Sequence, residues 1–284
     1  MKRRLSVKNH DRDAAGFTYV YPVVSRRAGG VSVGVNLNPN NACNWRCAYC
    51  QVPGLIRGAA PPIDMALLAE ELRALLEMVQ GPEWLSEHAP EGYRNIVDVA
   101  ISGNGEPTTC ANLDEVLDTV LEVVDAHGPQ EQLSKVIISN GSMIDKPAVQ
   151  RALRRWRDVD GEVWFKVDAG DEAHRERLNG SAQSNARTHK LLRQCCELVR
   201  TRIQTCVVTW DGLPPQQPER DAYIEFLGRA LRDGAQIHDI LLYGIARTSH
   251  QPEASRIEHP GAAWLSEYGA AIERALSLRV HVRS

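Results

Sequence analysis

No stretch of this sequence approaches the ~20 consecutive apolar residues that a membrane-spanning helix requires. The basic opening Met1-Lys-Arg-Arg-Leu-Ser-Val-Lys8 is followed by no apolar segment, so a secretory leader is not expected. Charge of neither sign dominates: the formal net charge is -3, which exerts no global pull towards nucleic acid or a membrane surface. Fixed-period repeats and low-complexity tracts are absent. An even set of cysteines is missing too. There are seven in 284 residues, three of them within eight positions, whereas disulfide frameworks favour short secreted chains with even counts. What remains is a globular protein, expected in the cytoplasm, whose clustered thiols serve a metal or a redox reaction. Its 43% hydrophobic and 24% charged residues are ordinary globular usage.

Strand-like and helix-like segments alternate along the chain. Residues 31–37, rich in β-branched side chains, read as a strand. Asp64 is placed to cap a helix whose Leu68, Leu72, Leu75, Leu76 and Val79 share one face. After a strand at 95–101, Asn112 and Glu115 resemble a capping box. The helix they open carries Leu113, Val116, Leu117, Val120, Leu121 and Val124 on one stripe. Further strands are expected at 135–139, 162–167, 202–209 and 237–245, and further helices at 145–156, 186–200, 218–233 and 262–277. Six β-α units predict parallel strands, right-handed crossovers and helices on the outer face. Six are too few to close an eight-stranded barrel. The expected fold is therefore α/β, an open, partial TIM-like (β/α)6 barrel, with a doubly wound sheet as the alternative. Either places the ligand site at the carboxyl ends of the strands. The polar motifs fall there: the cysteine cluster, Gly103-Asn-Gly-Glu-Pro107, Asn140-Gly141, Asp168-Ala-Gly170, and Tyr243 with Arg247.

The cysteine motif is Cys43-Asn-Trp-Arg-Cys47-Ala-Tyr-Cys50. Three thiolates on one short loop suit a four-iron cluster with one iron left open, where an electron-transfer ferredoxin would use four. The alternative is a structural zinc site, which needs a fourth ligand to close its tetrahedron. The next Cys or His in sequence is His88.

Cys-x3-Cys-x2-Cys with an aromatic residue, Tyr49, before the last cysteine resembles the signature of the radical S-adenosylmethionine (radical SAM) superfamily. Gly105-Glu106-Pro107 is similar to that family's Gly-Gly-Glu motif, with Asn104 where the first glycine usually stands. Ser102-Gly-Asn-Gly-Glu-Pro-Thr108 and Phe165-Lys-Val-Asp-Ala-Gly170 look like the branch that includes the tRNA wyosine synthases. The resemblance covers about residues 30–250. It implies a 4Fe-4S cluster on Cys43, Cys47 and Cys50, SAM as cofactor, and an external electron donor such as flavodoxin or ferredoxin. It further implies reductive cleavage of SAM to methionine and a 5′-deoxyadenosyl radical that takes hydrogen from a substrate, in RNA or natural-product modification. Its expected SAM-contacting residues are Tyr49, Gly105, Glu106, Asn140, Lys166, Asp168 and Arg247. Glu106 suits the methionine ammonium, and Gly105 a close backbone approach. Lys166 suits the carboxylate and Asp168 the ribose, although the two lie on one strand face and can equally pair with each other. Asn140 can equally be a turn residue before Gly141, and Arg247 either a carboxylate clamp or a loop arginine.

Cys110, Cys195, Cys196 and Cys206 read as core-filling thiols. Residues 1–29 hold seven Lys or Arg against two Asp and are read as a basic extension before a core domain of 30–284. A basic arm can touch phosphate. Without interleaved aromatics this one is read instead as covering the barrel edge, with 18–24 as an added strand. The competing function is a non-catalytic metal-binding or redox iron–sulfur module. The Gly-Glu-Pro loop favours the enzyme, because a bare metal module has no use for a second polar loop at the same sheet edge.

Overall fold

The structure, a computed structural model, describes residues 4–6, 15–81, 83–129 and 133–283. Eight strands form one sheet in chain order: β1 (Val20–Ser25), β2 (Gly30–Val35), β3 (Ile96–Ile101), β4 (Ser134–Ser139), β5 (Glu162–Lys166), β6 (Arg200–Val207), β7 (Ile237–Gly244) and β8 (Val280–Arg283). Only the β1–β2 pair is antiparallel; every later pair is parallel. The sheet is a curled, open half-barrel, and the six expected parallel strands are β2 to β7.

The helices are α1 (Met65–Val79), α2 (Trp84–His88), α3 (Leu113–His127), α4 (Pro147–Asp158), α5 (Glu172–Asn179), α6 (Asn185–Leu198), α7 (Gln217–Arg232) and α8 (Ala262–Leu276). Asp64 caps α1 by accepting from the Leu67 N–H at 3.0 Å. The helix buries Leu68, Leu72, Leu75, Leu76 and Val79 as its periodicity predicts. Each such leucine contributes about 1.5–3 kcal/mol. The same apolar layer takes Val31, Val33 and Val35 from the outer face of β2. The capping box expected at Asn112 is not formed: its Nδ2 donates to Glu115 Oε2 and its Oδ1 accepts from Cys110 Sγ, so no helix N–H is capped. No helix among the described residues is long and apolar enough to cross a membrane.

Both ends of the sheet depart from the sequence reading. β8 follows the last expected helix and pairs with β7; four residues are too few to show a period. At the other edge β1 and β2 form a hairpin, so the boundary drawn at 29/30 cuts through one structural unit. The added edge strand is present. Glu71 of α1 accepts from the backbone N–H groups of Thr18 and Tyr19 at 2.8 and 2.7 Å, tying this edge to the helix layer. Residues 1–3 and 7–14 of the basic arm, Lys8 among them, lie outside the described residues.

Inside the curl the strands carry polar residues beside a small apolar cluster of Ala100, Val136, Trp164 and Leu241. Near their amino ends Arg202 makes a bidentate pair with Asp239, 2.6 Å to each oxygen, and His281 and Glu162 join it. The inner space above this network opens at the carboxyl ends.

Candidate active site

The Cys43–Cys50 loop leaves β2 and is held from several sides. Ala42 and Cys43 pair with Ile56 and Arg57. Arg46 and Ala48 donate backbone hydrogen bonds to the carbonyls of Asn179 and Leu178 at the end of α5. Ser249 and Gln251, after β7, donate to the carbonyls of Ala48, Cys50 and Val52. A loop fixed in this way presents its thiols to a ligand without further ordering cost.

Asparagines do much of the joining. Asn36 Oδ1 accepts from Asn38 N and Asn104 N, and Asn104 Nδ2 donates to Asn41 at 2.6 Å. Asn104, the departure from the expected double glycine, thus welds the β3 loop to the cysteine loop. Asn140 Nδ2 donates to Asn44 at 2.9 Å, next to Cys43, so Asn140 is more than a turn residue. A Cβ at Gly105 would overlap the Ala42 carbonyl oxygen and lie 2.7 Å from Asn38 Cγ; only glycine lets these loops meet.

Glu106 is buried, and its carboxylate is already engaged. One oxygen accepts from Thr108 N, Thr108 Oγ1 and Ser139 Oγ; the other accepts from Asn140 N at 2.7 Å. Burial raises its pKa, and these donors oppose the shift. Oε2, with a single partner, keeps capacity for a second donor.

Lys166, Asp168 and Tyr49 form one network. Lys166 Nζ donates to Tyr49 Oη at 2.9 Å and lies 3.9 Å from Asp168 Oδ2. The Tyr49 hydroxyl donates to Asp168, which also accepts from Asn179 Nδ2 at 2.7 Å and Cys206 N at 2.8 Å. Burial works most strongly against the Lys166 charge, but Asp168 together with Tyr243, Cys47 and Cys206 outweighs it and the lysine pKa is raised. The ion-pair reading of Lys166 and Asp168 is the one the geometry displays. Asp168 sits behind Tyr49 and does not line the main cavity. Asn179 on α5, which the sequence reading missed, bridges this network to the cluster loop by donating to Cys47 Sγ at 3.4 Å.

A cavity of about 240 Å³ opens at the carboxyl ends of the strands. Cys43, Cys47, Cys50, Tyr49, Gly105, Glu106, Asn140, Lys166 and Arg247 all line it. Arg26 and Arg27 line it too; no periodicity could flag two arginines in a hairpin turn. Arg247 donates to the Val24 carbonyl at 3.4 Å. Of the other cysteines, Cys110, Cys195 and Cys206 are buried and Cys196 is half-buried. Cys206 also reaches the cavity wall.

The model of the Radical SAM superfamily matches residues 37–227. The chain belongs to the radical SAM superfamily. That membership favours the enzyme over the non-catalytic module. Two curated Helicobacter pylori relatives, each called a UPF0026 protein, are 32% identical over 160 residues, 56% of this chain. The match spans 44% of their length. Among solved structures, one of TYW1 with a bound lysine-pyruvate adduct matches with a TM-score of 0.55 at 16% identity, covering 95% of this chain and 79% of that one. A radical SAM methyltransferase from Sphaerobacter thermophilus matches at 0.59 and 15%, covering 89% and 66%. Both show the fold.

The superfamily implies SAM and an iron–sulfur cluster, and the residues fit them. The three thiols share one cavity wall, and two of the sulfurs accept N–H bonds, Cys43 from Trp45 N and Cys47 from Asn179. Burial pushes Cys43 up to about 12 and Cys47 up to about 11; buried thiolates call for a cation, which iron supplies. A cluster spreads its ligands over several irons.

Proposed function

We propose that Cys43, Cys47 and Cys50 hold a 4Fe-4S cluster beside SAM, and that the enzyme takes a hydrogen atom from a substrate bound deeper in the same cavity. The observation that carries this is the single cavity walled by the three thiols, Glu106 and Lys166 together. When bound, the reduced cluster and SAM supply a 5′-deoxyadenosyl radical, with methionine as the second product.

The chain's own residues position and select. Lys166, kept as an ammonium by Asp168, pairs with the methionine carboxylate, and Arg247 offers a second cation. Glu106 Oε2 accepts from the methionine ammonium. Gly105 admits close approach of backbone. Asn140 fixes Asn44 and so the start of the cluster loop. Asp168, expected at the ribose, is assigned instead to holding Lys166, Tyr49 and Asn179, because three donors and a cation already occupy its two oxygens. An external donor of the flavodoxin or ferredoxin class supplies the electron.

The TYW1 structure carries a lysine-pyruvate adduct, and Lys166 is the one lysine lining this cavity among the described residues. A lysine held protonated lacks the lone pair that attacks a carbonyl. That favours Lys166 as a charge partner over a nucleophile.

The test is anaerobic reconstitution, then dithionite and SAM without substrate. Slow release of 5′-deoxyadenosine and methionine, read by mass spectrometry, is expected. A fully iron-loaded protein that yields none with several reductants would sink the proposal.

A further inference from the structure

The cavity continues past Lys166 into the barrel, where its walls change character. Four cationic side chains line it, Arg26, Arg27, Lys166 and Arg247, against two carboxylates, Asp98 and Glu106. Glu106 is engaged by its own loop. Asp98 lies deep on β3 and accepts from Ser32. The surplus charge is concentrated at the β1–β2 hairpin.

Arg27 carries most of the argument. Its guanidinium lies over the rings of Tyr243 and Trp164, 4.7 and 5.5 Å from their centroids. Among the described residues it makes no ion pair within 4.0 Å. Stacking fixes the plane of a guanidinium and leaves its edge N–H groups available for a planar, two-point contact. Trp164 is two residues below Lys166 on the inner face of β5, about 7 Å further from the carboxyl end. Arg26 stands next to Arg27 and donates to the Gly244 carbonyl at 3.2 Å. Burial and then the charge of Arg27 lower the Arg26 pKa. Two neighbouring half-buried guanidiniums repel each other, and an anion between them removes that cost. Gln204, beside Lys166 on β6 and only 1% exposed, lines the same cavity and leaves its Nε2 donor without a partner.

We infer that Arg26, Arg27 and Gln204 form an oxyanion subsite inside the barrel, so that the substrate carries a phosphate or carboxylate group bound beside Lys166. This rests on the proposed cofactor arrangement, because it assigns Lys166 and Arg247 to SAM and the hairpin arginines to substrate. The aromatic faces of Trp164 and Tyr243 that hold Arg27 set its distance from the cluster loop, and with it the place of the anionic end. Asp98, the one carboxylate not engaged by its own loop, opposes the anion and limits its affinity.

Calorimetry on cluster-loaded, SAM-saturated protein tests this, with inorganic phosphate and propionate as separate probes at constant ionic strength. Saturable binding of phosphate points to a phosphorylated substrate, and of propionate to a carboxylate; either supports the subsite. Arg27→Gln should weaken the bound probe tenfold or more, and Arg26→Gln should act in the same direction. Arg27→Lys should fall between Arg27→Gln and wild type. Asp98→Asn should tighten binding several-fold, and Arg229→Gln, on the surface, should leave it unchanged. Iron content, melting temperature and SAM affinity are read on every variant. The inference is overturned if neither probe binds, if Arg27→Gln binds as wild type does, or if Arg27→Gln loses SAM instead. SAM that fails to bind wild-type protein counts against the cofactor arrangement; the probes are then read on cluster-loaded protein alone.

Discussion

Replacing Asp168 with Asn removes the charge that the Lys166 network is built on. Asp168 has no exposed side-chain surface and Lys166 only 16%, so water does little to replace the lost partner. Breaking a buried pair from one side costs about 3–5 kcal/mol. Asn keeps one acceptor for Cys206 N, but its NH2 group then confronts the Tyr49 hydroxyl and Asn179 Nδ2. Partial access of water to Lys166 trims the total, and about 3 kcal/mol is expected. Lys166→Met alone should cost less, because it leaves Asp168 with three donors. The double variant removes both charges and should recover about 1–3 kcal/mol relative to the sum of the singles. Urea unfolding of the metal-free protein measures all three without interference from the cluster. The lysine pKa is raised on folding. Its contribution is therefore fully present below the unfolded value, about 10.4, and is lost as pH rises through the folded value. The gap between wild type and Lys166→Met should narrow in strong alkali. An Asp168→Asn cost below about 1 kcal/mol, or strict additivity in the cycle, would refute the reasoning.

Three further outcomes are expected. Changing Cys43, Cys47 or Cys50 to Ala should abolish bound iron and sulfide, whereas Cys195→Ala, in the helix layer, should retain both in a colorimetric assay. Glu106→Gln sets an NH2 against the donors now facing the carboxylate. It should cost about 1–3 kcal/mol in melting experiments and lower SAM affinity about tenfold by calorimetry; equal affinity would remove Glu106 from the cofactor. Burial pushes Asp98 up to about 6, so folding favours its protonated form. The stability it contributes is present below about pH 4 and is lost as pH rises through about 6. Asp98→Asn should therefore flatten the stability profile between those limits and exceed wild type at pH 7, and parallel profiles would show the carboxyl to be solvated.

The sequence by itself determined the parallel core and marked the three-cysteine loop. Alternating β-α periodicity over six units leaves few ways to connect a sheet, and a three-cysteine motif carries its ligand count in its spacing. Leu68 to Val79 buried as their spacing required, because the period of a helix is local. Tertiary structure decided what no local pattern encodes. The hairpin that brings Arg26 and Arg27 to the cavity pairs β1 antiparallel to β2, and nothing in a four-residue turn announces which way its side chains face. Asn179 meets Cys47 across 132 positions, and its helix is too short and polar to show a period. The run of asparagines from Asn36 to Asn44 was visible, yet its role as the joint between three loops required their spatial order. Asp168 shows the same limit: its type and strand position suited a ribose contact, but whether a carboxylate faces ligand or its own neighbours depends on which donors folding brings to it. Tyr49, Asn179 and the backbone of Cys206 come from three separate segments.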